Sequence, residues 1–138
     1  MESHKAMIFD NLTNELRIAL ENGQSMAITK NHSRVESLHV LFALLNNSKS
    51  SVVSLLEKTE INIGNLVREV HDKIKKLPSL AKAPVDVQLS PEIVTSLSSA
   101  RELAIKRGDL YVSTEIFFLA LMEDTNSCKE ILQSSGLK

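Results

Sequence analysis

Residues 12–45 read LTNELRIALENGQSMAITKNHSRVESLHVLFALL, and residues 89–122 read LSPEIVTSLSSARELAIKRGDLYVSTEIFFLALM. The two stretches align without a gap at an offset of 77 residues, which places Ser90 over Thr13. The residues identical to their partners are Leu12, Glu15, Leu20, Ala27, Ile28, Val35, Ala43 and Leu44. Because apolar positions and helix starts match together, we predict a tandem duplication of one helical unit.

Each copy opens with an amphipathic pattern. Apolar residues recur at helical spacing from Leu16 in the first copy and from Ile93 in the second. Thr13 is the predicted N-cap of the first helix, and Ser90-Pro91 predicts a serine cap followed by proline at the first helical position. Gly108 predicts the end of the second long helix. Both copies are therefore expected to begin with a long, one-sided helix.

The segments that follow predict shorter helices. Residues 38–45 and 116–122 are apolar on nearly all sides, which predicts a buried helix in each copy. A third short helix is expected around 52–56 and 129–132, and the first copy adds a fourth at 63–77. No alternating strand pattern is present. The predicted fold is all-α, with two tandem pseudo-symmetric repeats of about four helices each, packed as one domain.

The predicted domain spans residues 7–138. Repeat one covers about 12–77, a proline-containing linker covers 78–88, and repeat two covers about 89–138. Each repeat alone is too small to bury its apolar faces well, so we expect the two to share an interface.

Composition excludes several classes of function. The 138 residues carry a net charge of −1, and aromatic residues make up 4% with no tryptophan, so we expect no nucleic-acid partner. The longest apolar run is too short to cross a bilayer, so we expect no membrane insertion. A single cysteine, Cys128, allows no internal disulfide, which fits a cytoplasmic protein.

Residues typical of catalysis are not arranged for it. The four glycines are isolated, which excludes a phosphate-binding loop, and no histidine is spaced from another ligand as in known metal sites. His39 is expected to be a half-buried structural histidine with a local hydrogen bond. We therefore predict a protein that is not an enzyme by itself and binds no cofactor and no metal.

An ordered set of segments resembles the Clp amino-terminal repeat, over about residues 7–137. The set comprises Leu12-Thr13-Asn14, Leu89-Ser90-Pro91, the apolar residues 39–45, Leu77-Pro78, Arg107-Gly108-Asp109 and Ser113-Thr114-Glu115. Within that family, the Leu-Pro step and the Arg-Gly-Asp segment make the chain most similar to the ClpB-type protein disaggregases.

The resemblance implies a substrate-binding module of a stress-response chaperone. ClpB-type proteins are ATP-driven homohexamers that thread unfolded or aggregated polypeptides through a pore and work with a DnaK-type chaperone. Their ATPase modules are absent from this sequence, and the isolated domain is expected to be a monomer. The alternative is an adaptor- or partner-docking domain, as in the ClpA and ClpC unfoldases or a ClpV-type secretion ATPase.

The resemblance also implies a set of substrate-binding residues. The matching positions for client handling are Thr13, Asp109 and Glu115, and those for an apolar groove in the second repeat are Leu97 and Ile116. Simpler interpretations exist for each kind of position. Thr13 can serve only as a helix cap, Glu115 can serve only to favour a helix N-terminus, and Leu97 has the periodicity of a core residue.

Overall fold

A computed structural model describes residues 11–123 and 127–136 of the chain. Within these residues the helices are α1 Asn14–Thr29, α2 Ser37–Leu45, α3 Ser51–Glu57, α4 Ile63–Lys75, α5 Pro91–Lys106, α6 Thr114–Glu123 and α7 Ser127–Ser134. The strands are β1 Arg34–Val35 and β2 Gln88–Leu89. The all-α prediction is confirmed. Four helices come from the first copy and three from the described part of the second, which agrees with the expectation that the first copy adds a fourth helix.

The helix starts follow the predicted caps. Thr13 Oγ1 accepts a hydrogen bond from the Leu16 N–H at 3.4 Å, and Ser90 Oγ accepts one from the Ile93 N–H at 3.3 Å, with Pro91 at the first helical position. Each hydroxyl satisfies an amide that the helix leaves without an internal partner. The repeated sequence therefore produces the same local structure twice.

The ends of the two long helices also match. Asn31 has φ 60° and Gly108 has φ 78°, and the two residues occupy equivalent positions at the 77-residue offset. The residue after each donates a backbone hydrogen bond to the last turns of the helix. The His32 N–H donates to the Ala27 carbonyl at 2.8 Å, and the Asp109 N–H donates to the Ala104 carbonyl at 2.9 Å. Such a left-handed residue satisfies the last carbonyls and reverses the chain direction.

Two short parallel pairings connect the copies. In one, Val35 pairs with Leu89, and in the other, Leu12 pairs with Val112. The offset of 77 residues converts one pairing into the other, so each copy pairs its first residues with the interhelical loop of its neighbour. These strands were not predicted, because two residues are too few to show an alternating pattern.

The core is continuous across both copies. The buried apolar cluster includes Leu16 and Leu41 from the first copy together with Phe117 and Leu121 from the second. Helix α2 contacts α7, and α3 contacts α6, so the short helices of one copy pack on those of the other. The segment before β2 is attached to the first copy, since the Leu80 N–H donates to the Asn31 carbonyl at 2.6 Å.

Candidate functional site

The loop between α5 and α6 exposes an apolar surface. Ile105, in the last turn of α5, and Leu110 and Tyr111, in the loop, have exposed fractions of 69%, 83% and 56%, and we call these three residues the apolar loop surface. Gly108 permits the turn between Ile105 and Leu110, because its φ of 78° is unfavourable for other residue types. Large apolar side chains clustered on a surface commonly mark a protein-binding site.

The predicted polar residues lie at the same end of the molecule. Asp109 is in the loop itself, where its carboxylate is 3.7 Å from Arg107 Nε and both side chains are about half exposed. Glu115 is exposed in the first turn of α6. Thr13 is held against this loop, since its N–H donates to the Val112 carbonyl at 3.0 Å. The structure therefore brings Thr13, Asp109 and Glu115 to one region.

Leu97 and Ile116 are in a different environment. Their exposed fractions are 3% and 4%, and both side chains belong to the shared core. Leu97 lies on the inner stripe of α5 with Ile93 and Ala100, and α6 is buried along most of its length. The expectation that these two side chains line an open groove needs correction, because helix periodicity turns both inward.

A groove that was not predicted lies in the first copy. It has a volume of about 310 Å³ and lies between α1 and α2. Its lining residues are Asn22, Met26, Phe42, Ala43, Asn46 and Asn47. The signal that could have revealed it is the position of polar, uncharged residues beside apolar ones on two helices that pack together.

A pair of buried histidines was also missed. His32 Nδ1 and His39 Nε2 are 2.8 Å apart, and the Glu36 N–H donates to His39 Nδ1 at 2.8 Å. Because His39 Nδ1 is an acceptor, its Nε2 carries the proton and donates to His32. Burial, with a smaller contribution from His32, lowers the pKa of His39 to about 4, and burial also lowers the pKa of His32. The predicted local hydrogen bond of His39 is confirmed, although the side chain is fully buried.

Two further groups, the half-buried Glu15 carboxylate and the buried Cys128 thiol, have shifted pKa values. Burial tends to raise the pKa of Glu15, but hydrogen bonds from Ser51 outweigh it, so the pKa is lowered. Burial, aided by the nearby Glu92 carboxylate, raises the pKa of the Cys128 thiol, which therefore stays protonated. Across residues 11–123 and 127–136, no three His, Cys, Asp or Glu side chains are grouped to hold a metal ion. None of the described helices is both long and apolar enough to span a bilayer.

Comparison with known proteins identifies the family of this chain. The model of the Clp repeat (R) N-terminal domain matches residues 11–135. Chaperone protein ClpB of Pseudomonas putida is 30% identical over 131 residues, which are 95% of this chain and 15% of that protein. The chain thus spans a small fraction of the length of this relative.

Solved structures share the fold. The Hsp104 N-terminal domain from Candida albicans matches with a TM-score of 0.83 and 24% identity, over 94% of this chain and 84% of that one. A complex of the ClpV N-domain with a VipB peptide matches with a TM-score of 0.76 and 19% identity, over 94% and 82%. The family match covers nearly all of the sequence, and the chain therefore belongs to the Clp repeat N-terminal domain family.

Proposed function

We propose that this domain captures exposed apolar segments of unfolded or aggregated proteins for a ClpB-type ATP-dependent disaggregase. The parent protein is then a cytoplasmic homohexamer that works with a DnaK-type chaperone, and its attached motor threads the captured chain. The observation that carries the proposal is the apolar loop surface, where Leu110 and Tyr111 are exposed beside Asp109. The similarity to ClpB over 95% of the chain supports the motor context.

The chemistry of the surface suits weak and unselective capture. Burial of apolar area contributes about 25 cal/mol per Å², and three exposed side chains supply only a small area. Ordering a flexible client opposes much of that gain, so we expect low affinity and fast release. Asp109 and Glu115 add attraction for Lys or Arg residues beside the apolar segment, and Thr13 supports the loop through its bond to Val112.

Leu97 and Ile116 take an indirect role in this proposal. Both side chains lie in the core shared by α5 and α6, the helices on either side of the loop. They fix those helices, and therefore the loop between them, without reaching the client in this conformation. Substitutions at these positions would then act on binding through the stability of the loop.

A double substitution tests the proposed surface. Leu110→Ser with Tyr111→Ser should weaken binding of a labelled, permanently unfolded model protein by about tenfold, because the main apolar contact area is lost. Fluorescence anisotropy measures the affinity. Val85→Ser is the matched control, since Val85 is a fully exposed apolar residue outside this surface. Equal affinity of the wild type and the double variant would show that clients bind elsewhere.

A second candidate function is docking of one defined partner, as an adaptor or assembly module. It is favoured by the fold shared with the ClpV N-domain, whose solved complex contains a VipB peptide. Competition distinguishes the two functions. A client-capture surface should bind many unrelated apolar peptides with affinities within about tenfold of one another, whereas a docking surface should prefer one sequence and lose it on a single polar substitution.

A further inference from the structure

Both ring nitrogens of His39 are hydrogen-bonded inside the first copy. Nδ1 accepts from the Glu36 N–H at 2.8 Å, and Nε2 donates to His32 Nδ1, also at 2.8 Å. His32 is 4% exposed and His39 is 0% exposed, so bulk water does not reach either bond. A proton added to His39 Nδ1 would face the Glu36 N–H, and one added to His32 Nδ1 would face the Nε2–H of His39. The pair therefore fits two neutral rings and leaves no position for a further proton.

The groups around the pair also favour two neutral rings. Burial has the largest effect on both pKa values, and Lys30, at the end of α1, opposes protonation of both rings. Glu36 favours protonation of His32, but its carboxylate is 3.1 Å from Arg34. Of the other helices packed on α2, α4 brings His71 to a phenylalanine ring, and α7 contributes the buried Cys128 thiol. Uptake of a proton therefore requires the rings to leave their closed arrangement.

The loop that contains His32 holds two other parts of the chain. At its start, the Asn31 carbonyl accepts from the Leu80 N–H at 2.6 Å, which attaches the segment between the copies. At its end, the Val35 carbonyl accepts from the Ser90 N–H at 2.9 Å, beside the β1–β2 pairing. We call these two attachments the first junction. Because His32 lies between them in sequence, displacement of its ring would loosen both.

Opening of the first junction would expose little of the core. All but one of residues 78–86 are already exposed, and so is Arg34 of β1. The buried apolar side chains that would lose cover are Val35 and Val87. Regions with few buried apolar contacts open at a lower free energy than the whole domain. The first junction can therefore open while α1 and α2 stay packed on each other.

The equivalent attachment in the second copy has no histidine. There the Thr13 N–H donates to the Val112 carbonyl at 3.0 Å, and we call this bond, with the Leu12–Val112 pairing, the second junction. At the 77-residue offset, Asp109 and Ile116 occupy the positions of the two histidines. Asp109 is exposed and Ile116 is buried. The two junctions therefore share their backbone geometry and differ in the side chains that support them.

We infer that the His32–His39 pair is a pH-sensitive switch, which keeps the first junction closed while both rings are neutral. Uptake of one proton by the pair opens the loop at residues 31–36 and releases residues 78–87, while the helices and the second junction stay formed. The apolar loop surface lies in the other copy, so acid changes the connection between the copies and leaves that surface in place. The switch operates whether or not the domain captures clients.

Amide hydrogen exchange compares the two junctions in one molecule. After correction for the intrinsic exchange rate, protection of the Ser90 and Leu80 amides should fall by about 20-fold between pH 7 and pH 5. This fall follows from a His39 pKa of 6.5 in the open junction and about 4 in the closed one. Protection of the Thr13 amide should change by less than about twofold. Low urea should barely affect exchange at Ser90, because local opening exposes little surface.

Two variants assign the effect to the pair. His39→Gln should remove most of the pH dependence at Ser90, since glutamine at this helical position can accept from the Glu36 N–H but does not titrate. His71→Gln is the matched control and should keep the full dependence, because the His71 ring contacts Phe42 and not the pair.

Three results would overturn the switch. One is an equal loss of protection at Ser90 and Thr13, and another is an unchanged pH dependence in His39→Gln. The third is exchange at Ser90 that urea accelerates as strongly as exchange at the core residue Leu41, which would mean that acid unfolds the whole domain. The first and third comparisons use the wild type, so they decide the question even if His39→Gln folds poorly.

Discussion

The loops that follow α1 and α5 have the same backbone course and opposite surfaces. Both begin with a left-handed residue and both form a parallel pairing with the start of the other copy. In the first loop, His32 turns inward to His39, and the segment before β2 covers the turn at Asn31. In the second, Asp109, Leu110 and Tyr111 are exposed.

This difference shows how two copies of one structural unit can acquire different surfaces. At the 77-residue offset, Asp109 takes the position of His32, and Ile116 takes the position of His39. The first loop packs His32 against His39, whereas the second leaves Asp109 exposed and has the buried, apolar Ile116 in place of His39. Because the backbone is held by the same pairings in both, the side chains of the second loop are free to form a surface.

The largest expected effect comes from Leu97 and Ile116, the core positions on the two helices that flank the second loop. Leu97→Gln with Ile116→Gln places two amides without partners in the core, so the free energy of unfolding should fall by about 4 kcal/mol or more. Urea denaturation measures this loss. Ser98→Gln, at an exposed position of α5, is the control and should be nearly neutral. A melting temperature that stays within a few degrees would contradict the buried positions of Leu97 and Ile116.

The next effect concerns the histidine pair of the first loop. The unfolded chain binds a proton at His39 near pH 6.5, but the folded chain does so only near pH 4, so the stability is complete above pH 6.5 and falls as the pH drops. Between pH 6.5 and 5 the loss should be about 2 kcal/mol. Around the pair, Lys30 opposes protonation of both rings, and Glu36 favours protonation of His32.

Urea denaturation at several pH values measures this dependence. His39→Gln should be less stable at pH 7.5 and should lose most of the slope between pH 6.5 and 5. Glu15 does not interfere in this window, because the pKa of its carboxyl is lowered from 4.5 and its contribution is lost only at more acidic pH. An unchanged slope in His39→Gln would assign the pH dependence to other groups.

A smaller effect distinguishes the two left-handed residues. Gly108→Ala should destabilise the domain by about 1 kcal/mol, because alanine is disfavoured at a φ of 78°. A Cβ at Gly108 would meet no atom within 4 Å, so the change measures backbone conformation alone. Gly108→Asn is the matched comparison and should cost less, since Asn31 already occupies the equivalent position. Thermal unfolding would contradict this account if both variants matched the wild type.

The smallest effect tests the charges beside the second loop. Asp109→Asn and Glu115→Gln should each weaken binding of a labelled peptide that contains Leu and Lys by about two- to threefold at low salt, because exposed charges act through screened attraction. The difference from the wild type should disappear at high salt. Anisotropy titrations at two salt concentrations measure it. Losses of the same size for a peptide with Gln in place of Lys would mean that these carboxylates act through the loop conformation.

The sequence predicted those parts of the fold in which the same residue pattern occurs twice. The gap-free match of residues 12–45 with 89–122 predicted the long helices, and Ser90-Pro91 predicted the start of α5 correctly. The strand pairings were not predictable from periodicity, since each involves two residues or fewer. The predicted start of α7 near residue 129 was two residues late, because the cap region there has no apolar pattern.

The candidate site could be predicted from the sequence only in part. Family resemblance pointed to Thr13, Asp109 and Glu115, which the fold brings to one end, but it also pointed to Leu97 and Ile116, which are buried. The exposed Leu110 could not be recognised from its residue type, because leucine is more often buried. The histidine pair depends on the turn at Asn31, which brings together residues seven positions apart.

The reciprocal strand pairings have a kinetic consequence. Val35 and Leu89 are 54 residues apart in sequence, whereas Leu12 and Val112 are 100 residues apart. The two equivalent pairings therefore close chain loops of unequal length. Forming the longer loop, between Leu12 and Val112, costs about 0.5 kcal/mol more in chain entropy. When the unfolded chain folds, the Val35–Leu89 pairing therefore has the smaller entropic cost. Both pairings join residues that are distant in sequence, and such contacts slow the folding of an otherwise helical domain.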